Sequence, residues 1–223
     1  IVNKNAQTVP FKLNEPQRTV LYAMKGRDII LKARQEGISS LILAIFALDF
    51  LTIENCRCVV ISHEAKATTM LFDRVKFYID ALKTTFPGEL PYQLDISSRS
   101  EMRNKAKNSS FYIGTAGARA FGRGDTIHNL HCSEVSMWPD QEKLMIGLLQ
   151  AVPQNGRVIL ESTANGVGDY FHSLWKTSQA PDATFATHFL PWFVLSDYQI
   201  PIRGRFEVNE EEKELQRVYK LTD

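Results

Sequence analysis

The chain has 223 residues, 44% of them hydrophobic, so it can bury one substantial core and is not an intrinsically disordered segment. Its 26 basic and 25 acidic residues nearly cancel, which excludes a protein whose overall charge would attract nucleic acid. The longest apolar run, residues 41–51, is too short to span a bilayer, and we expect a soluble protein without a membrane partner. Cys56, Cys58 and Cys132 lack the spacing of zinc ligands, and we expect reduced core thiols.

Short β-rich apolar runs alternate with longer helical patterns along the chain, which indicates an α/β fold with a mostly parallel central sheet flanked by helices. A first helix is predicted near Pro16–Met24, with Asn14 as its cap. The predicted strands that follow are Asp28–Lys32, Arg57–Ser62, Ser110–Thr115, Asn129–Cys132 and Arg157–Glu161. The predicted helices between them are Ser39–Ile53, Ala65–Phe86 and Gln141–Val152.

The composition changes after Pro191, where a stretch with proline and glycine precedes a charged helical segment, Asn209–Lys220. We therefore predict a core over residues 1–190 and a small lid or linker subdomain over residues 191–223. In a parallel sheet, ligands bind at the carboxyl ends of the strands. The residues at those ends are the candidates for function.

The first predicted strand leads into a loop that partly matches the phosphate-loop pattern G-x-x-x-x-G-K-[ST]. Gly37 matches the second glycine and Ser39 the hydroxyl that binds Mg²⁺, whereas Lys32 replaces the first glycine and Ile38 the lysine. A loop that enters a helix N-terminus offers backbone N–H groups to a phosphate. We predict that ATP and Mg²⁺ bind along the segment that reads Lys32, Ala33, Arg34, Gln35, Glu36, Gly37, Ile38, Ser39 and Ser40.

The cation that Ile38 cannot supply has two candidate sources. Lys32 and Arg34 both lie within a few residues, and the planar guanidinium of Arg34 suits phosphate oxygens. The alternative for Arg34 is a surface ion pair with Glu36.

The fourth predicted strand is followed by Ser133 and Glu134. A carboxylate at the end of a strand beside a phosphate site can polarise the water that attacks the γ-phosphate, which makes Glu134 the candidate catalytic residue. The Asp that usually precedes it, and that holds Mg²⁺ through water, is here Ser133. Because Mg²⁺ keeps several waters and needs few protein ligands, the hydroxyl of Ser133 could substitute. The alternative is a solvated strand end.

The fifth predicted strand ends in a small polar turn that contains Ser162, Thr163 and Asn165. Such a turn can hydrogen-bond the catalytic carboxylate on one side and a moving element on the other, although an ordinary solvent loop has the same composition. Upstream, the amide of Gln17 could read an adenine edge.

A glycine-rich loop, residues 117–124, carries Arg119 and Arg123. It could act as an arginine finger or as a DNA contact, and a plain solvent loop is the alternative. We favour Arg123 as the finger, because glycines flank it and it lies closer to the acidic strand.

Taken in order, these segments resemble the large subunit of tailed-bacteriophage terminases, the motors that package DNA. The resemblance runs through nearly the whole chain and rests on LKARQEGISSL, NLHCSEVSMWPD, ILESTANGVGDYFHSLW and FLPWFVLSDYQIP. It implies a P-loop NTPase of the additional-strand catalytic-glutamate type that hydrolyses ATP to move double-stranded DNA into a procapsid. Terminases also carry a C-terminal nuclease with clustered acids, which we do not see before Asp223, so we expect an ATPase portion.

The resemblance also implies roles and partners. Gln17 would contact adenine, Lys32 and Arg34 the phosphates, Ser39 the Mg²⁺ ion and Glu134 the attacking water, while Ser162, Thr163 and Asn165 would couple hydrolysis to movement. The implied partners are double-stranded DNA, the portal protein, the small terminase subunit and further copies in a ring, at the procapsid portal in the host cytoplasm. We expect the isolated domain to be a monomer.

Two other functions fit the same motifs. A helicase or DNA-remodelling ATPase shares the order of the motifs, but it would need a second motor domain. A nucleotide-binding assembly module without turnover would explain Ile38 and Ser133, but it has little use for Glu134.

Overall fold

Strands and helices alternate along the chain in a computed structural model, which describes residues 1–2, 5–118, 126–195, 198 and 207–221. The strands are β1 (Arg27–Lys32), β2 (Arg57–Ser62), β3 (Leu94–Ser97), β4 (Glu101–Asn104), β5 (Ser109–Thr115), β6 (Asn129–Ser133), β7 (Arg157–Ser162) and β8 (Ala186–Leu190). The helices are α1 (Glu15–Ala23), α2 (Ile38–Thr52), α3 (Ala65–Thr85), α4 (Gln141–Gln150), α5 (Tyr170–Thr177) and α6 (Glu210–Tyr219), with 3-10 turns at Val135–Met137 and Trp192–Val194.

The strands form one sheet in the order β3-β4-β5-β2-β6-β7-β1-β8. Strands β5, β2, β6, β7, β1 and β8 pair in parallel, and β3 and β4 add an antiparallel extension at one edge. Strand β7 lies between β1, which leads into the phosphate-loop segment, and β6, which ends just before Glu134. This inserted strand is the feature that names the additional-strand class, and the predicted α/β fold class is confirmed.

Two apolar layers cover the two faces of the sheet. One cluster joins α2 and α3 to the sheet and contains Phe46, Phe50, Phe72 and Phe111. The other packs the segment after β6, with α4 and α5, against the opposite face. Because both faces of the sheet are covered, its central strands are buried and carry few polar side chains except at their ends.

The structure confirms the predicted strands and helices to within two residues. Sequence patterns missed β3, β4, β8 and α5. Strands β3 and β4 have four residues each and are largely exposed, so they lack the apolar signal of the central strands. Helix α6 begins with a capping box between Asn209 and Glu212, and Tyr219 at its end packs against Phe193 with ring centroids 4.8 Å apart. The domain boundary at residue 191 remains a prediction.

The three cysteines are buried free thiols. Burial raises the pKa of the Cys132 thiol well above its usual value, so this thiol stays protonated. The Sγ atoms of Cys56 and Cys58 lie 3.7 Å apart. No helix among the described residues combines the length and the apolar character needed to cross a membrane.

We expect Phe111→Ala to destabilise the fold by about 3–5 kcal/mol, because the side chain is fully buried and its loss leaves a cavity. Its ring packs edge-on against Phe50 at 6.1 Å and lies 6.3 Å from that of Phe72. Urea unfolding measures the loss. Phe189→Ala is the matched control, since that ring is 52% exposed on edge strand β8. Equal losses for the two variants would contradict the packing described for Phe111.

Candidate functional site

The residues singled out by the motifs meet at the carboxyl ends of β1, β6 and β7. Because these three strands are adjacent and parallel, Lys32, Glu134 and Glu161 are brought to one edge of the sheet. A cavity of about 510 Å³ at the opposite edge, lined in part by Arg27, Arg157 and Gln154, contains none of the predicted site residues. The candidate site is therefore the edge at which the motifs converge.

The phosphate-loop segment has the geometry of an anion site. Gln35 and Gly37 both have positive φ angles, +58° and +78°, and Gly37 forms the N-cap of α2 without a side-chain hydrogen bond. The first N–H groups of α2 are therefore available to a phosphate. Ile38, which stands at the lysine position of the pattern, is 1% exposed and packs in the core.

Helix α1 fixes the backbone of this loop. The amide Nε2 of Gln17 donates to the carbonyl of Gly37 at 2.7 Å, and Nδ2 of Asn14 donates to the carbonyl of Glu36 at 3.0 Å. The Oε1 atom of Gln17 accepts from the backbone N–H of Asn14. Both ends of the Gln17 amide are thus bonded to the protein, and the adenine contact remains a prediction.

Lys32 lies between two acids. Its Nζ is 2.8 Å from Oε1 of Glu134 and 3.6 Å from Oε2 of Glu161, and the residue is 8% exposed. Burial alone would lower the pKa of Lys32, but Glu161 and Glu134 together raise it above its usual value. The predicted cation is therefore held at the site as a charged group.

Glu134 has a strained backbone and a fixed side chain. Its φ angle is +54°, which is uncommon for any residue other than glycine and is typical of functional positions. Its Oε2 accepts from the backbone N–H of Thr163 at 3.1 Å and from the Thr163 hydroxyl at 3.2 Å. Thr163 therefore contacts the candidate catalytic acid, as expected for this turn.

The rest of the turn after β7 contacts the segment that follows Glu134. The Ser162 hydroxyl lies 2.5 Å from that of Ser136 and accepts the Ser136 backbone N–H at 3.1 Å. Asn165 donates to the Ser136 carbonyl. The turn is therefore tied to Glu134 and to the chain just beyond it, and a role in coupling remains a prediction.

Glu161, which sequence reasoning did not select, is a buried part of the site. Its Oε1 lies 2.5 Å from Oγ of Ser39 and 3.1 Å from Nε2 of His131. Burial would raise the pKa of Glu161, but Lys32, His131 and Ser39 hold it well below its usual value. The signal available in the sequence was its place at the end of a predicted strand, the same rule that selected Glu134.

Other predicted residues lie apart from this cluster. Arg34 and Gln35 are exposed, and within the described residues Arg34 forms no ion pair with Glu36. Ser40 accepts a hydrogen bond from Arg74 of α3. Arg119 and Arg123 of the glycine-rich loop lie outside the described residues, and their roles remain predictions.

Glu36 is a buried acid inside the loop. It is 1% exposed, and neither of its carboxylate oxygens has a hydrogen-bond partner among the described residues. Burial raises the pKa of Glu36 to about 7, while Lys32 and the backbone at Ala33 oppose that shift. The loop therefore contains a carboxyl group that changes its charge near neutral pH.

The arrangement defines a class of protein. A glycine-containing loop after β1 enters a helix, an acid follows β6, and β7 is inserted between these two strands; together these are the features of a P-loop NTPase. Among the described residues no group of three or more His, Cys, Asp or Glu side chains could hold a metal ion. A metal at this edge would therefore take most of its ligands from a nucleotide and from water.

Solved structures with this fold include phage large terminases. The ATPase domain of the Thermus phage P74-26 large terminase superposes with a TM-score of 0.67 at 16% identity, covering 94% of this chain and 89% of that one. The HK97 bacteriophage large terminase gives 0.66 at 14%, covering 95% and 48%. A large terminase from a thermophilic bacteriophage, in complex with ATP-gamma-S, gives 0.58 at 13%, covering 93% and 50%.

The chain thus spans about half the length of the last two of these proteins. No protein-family model and no curated protein matches the sequence. At these identities the similarity establishes the fold.

We expect Gly37→Ala to destabilise the protein more than Gly88→Ala, although both glycines have a φ angle of +78°. An added Cβ at Gly37 would lie 2.6 Å from Nε2 of Gln17, whereas Gly88 has no atom within 4 Å. Both substitutions incur about 1–2 kcal/mol of left-handed strain, and only the first also disrupts the contact with α1. Urea unfolding of both variants, alone and with Gln17→Ala, tests this. If Gln17→Ala does not narrow the gap, the contact with Gln17 is not its cause.

We expect Glu36→Gln to stabilise the protein at pH 8 by about 1–3 kcal/mol and to have little effect below about pH 5. The folded-state pKa of Glu36, about 7, lies above the unfolded value of 4.5, so the folded state binds more protons between these values. Stability from this group is present below the unfolded pKa and is lost as pH rises through the folded pKa. Thermal unfolding at both pH values measures the difference. Glu142→Gln, an exposed change on α4, is the control, and a gain at the acidic pH equal to that at the alkaline pH would contradict the assignment.

Proposed function

We propose that this chain is the ATPase motor domain of a viral terminase large subunit, which hydrolyses ATP to move double-stranded DNA into a procapsid. The observation that carries the proposal is the position of Glu134, which is strained, hydrogen-bonded by Thr163 and one strand away from a helix N-terminus suited to phosphates. A nucleotide-binding module without turnover has no use for an acid held in this way.

Nucleotide binding would begin at the N-terminus of α2. The backbone N–H groups of the loop would contact the phosphates, with the exposed guanidinium of Arg34 reaching them from solvent. A large terminase from a thermophilic bacteriophage, which shares this fold, forms complexes with ADP and with ATP-gamma-S. That likeness supports a nucleotide as the ligand of the loop in this chain.

Hydrolysis would require Lys32 to change partners. In the structure its ammonium group is 2.8 Å from Glu134, so one carboxylate oxygen of that acid is occupied. A γ-phosphate near the loop would compete for the same cation, and its departure would free Glu134 to orient and accept a proton from water. Thr163 would continue to hold the other oxygen, which links the acid to the turn after β7.

A Mg²⁺ ion fits this edge of the sheet. The hydroxyl of Ser39 and the carboxylate of Glu161 lie in contact there, and one oxygen of Glu161 has no hydrogen-bond partner among the described residues. When bound, the ion would neutralise charge on the β- and γ-phosphates.

The partners proposed for the motor are double-stranded DNA, the portal protein, the small terminase subunit and further copies of the chain in a ring. The similarity of fold to large terminases supports them as a group. Measuring ATP turnover with and without double-stranded DNA tests the function itself. Turnover stimulated by duplex DNA supports a packaging motor, whereas tight nucleotide binding without any turnover supports the assembly module.

We expect Glu134→Gln to reduce ATP turnover by about 10²–10⁴-fold, because the amide keeps the shape of the side chain but cannot accept a proton. Affinity for ATP should stay within a few-fold of the wild type. Steady-state phosphate release and equilibrium binding of a fluorescent nucleotide measure the two effects. Glu142→Gln is the matched control on an exposed face of α4. Turnover of Glu134→Gln close to the wild-type rate would remove Glu134 from the catalytic role.

A further inference from the structure

The end of β7 carries a buried acid, Glu161, that contacts the phosphate-loop segment. We propose that Glu161, acting with Ser39, positions a hydrated Mg²⁺ ion on the bound nucleotide, in the role that the sequence pattern assigns to Ser133. The proposal rests on the nucleotide function proposed above, and it names a residue whose part in that function was open.

The sheet register supports this exchange of position. Ser133 and Glu161 are direct Cα partners in the parallel pair of β6 and β7. Neighbouring strands are about 4.8 Å apart, so the two side chains start from the same level of the sheet on adjacent strands. A carboxylate on β7 can therefore serve the region that an acid at residue 133 would serve.

The hydroxyl of Ser39 supplies the second observation. In the phosphate-loop pattern this hydroxyl is the protein ligand of Mg²⁺. Its partner in the structure is Oε1 of Glu161, at 2.5 Å. The side chain of Ser133 is also buried, but a serine there offers a neutral hydroxyl where the pattern expects a carboxylate.

The other oxygen of Glu161 points to a missing donor. Oε2 is fully buried and has no hydrogen-bond partner among the described residues, although Nζ of Lys32 lies 3.6 Å away. A buried carboxylate oxygen without a donor is costly, and a water molecule bound to Mg²⁺ would provide one. Because Mg²⁺ keeps several of its waters, one carboxylate contact of this kind is sufficient on the protein side.

The charge around Glu161 is consistent with an exchange of cations. The group is ionised, since Lys32 and His131 outweigh the effect of burial and hold its pKa well below the usual range. In the structure Lys32 supplies the balancing positive charge. If the ammonium group moves towards the phosphates, a divalent ion beside Ser39 would restore the balance at Glu161.

The test measures how strongly Mg²⁺ tightens the binding of a fluorescent ADP analogue to the whole chain, by comparing affinity with Mg²⁺ and with EDTA. Glu161→Gln should reduce that tightening about 10–100-fold and leave the affinity in EDTA close to the wild-type value. Electron paramagnetic resonance with Mn²⁺ and ADP gives an independent readout, since the variant should retain less Mn²⁺ in the ternary complex. The double variant Glu161→Gln with Ser133→Asp should recover part of the tightening.

The outcomes separate the two proposals. If the wild-type chain binds no nucleotide, the proposed function fails. If the wild type depends on Mg²⁺ and Glu161→Gln depends on it equally, the role of Glu161 is overturned while the function stands. If Ser133→Ala alone abolishes the dependence, the role belongs to Ser133. An equal loss of affinity with and without the metal would show that Glu161 only supports the fold.

Because Glu161 is fully buried, the variants are first compared by thermal unfolding. Should Glu161→Gln fail to fold, Glu161→Asp keeps the charge but withdraws the carboxylate by one methylene. It should then lose part of the Mg²⁺ dependence. Wild-type dependence in that variant would equally overturn the proposal.

Discussion

The site is organised around a buried ammonium group between two carboxylates. Lys32 at the end of β1 contacts Glu134 beyond β6 and Glu161 on β7, so a single cation joins three adjacent strands at their functional edge. Charges buried at this depth are tolerated only when they are paired and hydrogen-bonded, and each partner here has further contacts. His131 and Ser39 bond Glu161, and the turn after β7 bonds Glu134. A ligand that draws Lys32 away must therefore disturb all three strand ends together.

The phosphate loop depends on a second constraint, which is the close approach of α1. The side chains of Asn14 and Gln17 bond the carbonyls of Glu36 and Gly37, and they fix the loop before any ligand arrives. A side chain at residue 37 would occupy the space of the Gln17 amide. The requirement for glycine at this position thus comes from α1 as well as from the backbone angle.

The sequence was sufficient for the central strands and for most of the residues at their ends. Continuous apolar runs of β-branched residues predicted β2 and β7, and the rule that ligands bind at strand ends led to Glu134 and Thr163. It was not sufficient for β3 and β4, whose exposed residues carry little hydrophobic signal, or for the contacts of Gln17, which join segments 20 residues apart. Glu161 was overlooked because a strand residue is usually assigned to the core, and only the pairing of β6 with β7 shows what it faces.

The position of Glu161 indicates how a P-loop site can tolerate a serine where an aspartate is usual. A parallel sheet places equivalent levels of neighbouring strands side by side, so a function at one strand end is within reach of a longer side chain on the next. Glu161 has such a side chain and already contacts the hydroxyl of Ser39. The departures at Ile38 and Ser133 then have a common explanation. Ile38 belongs to the core, Lys32 brings the positive charge from the start of the loop, and Glu161 brings the negative charge from the neighbouring strand.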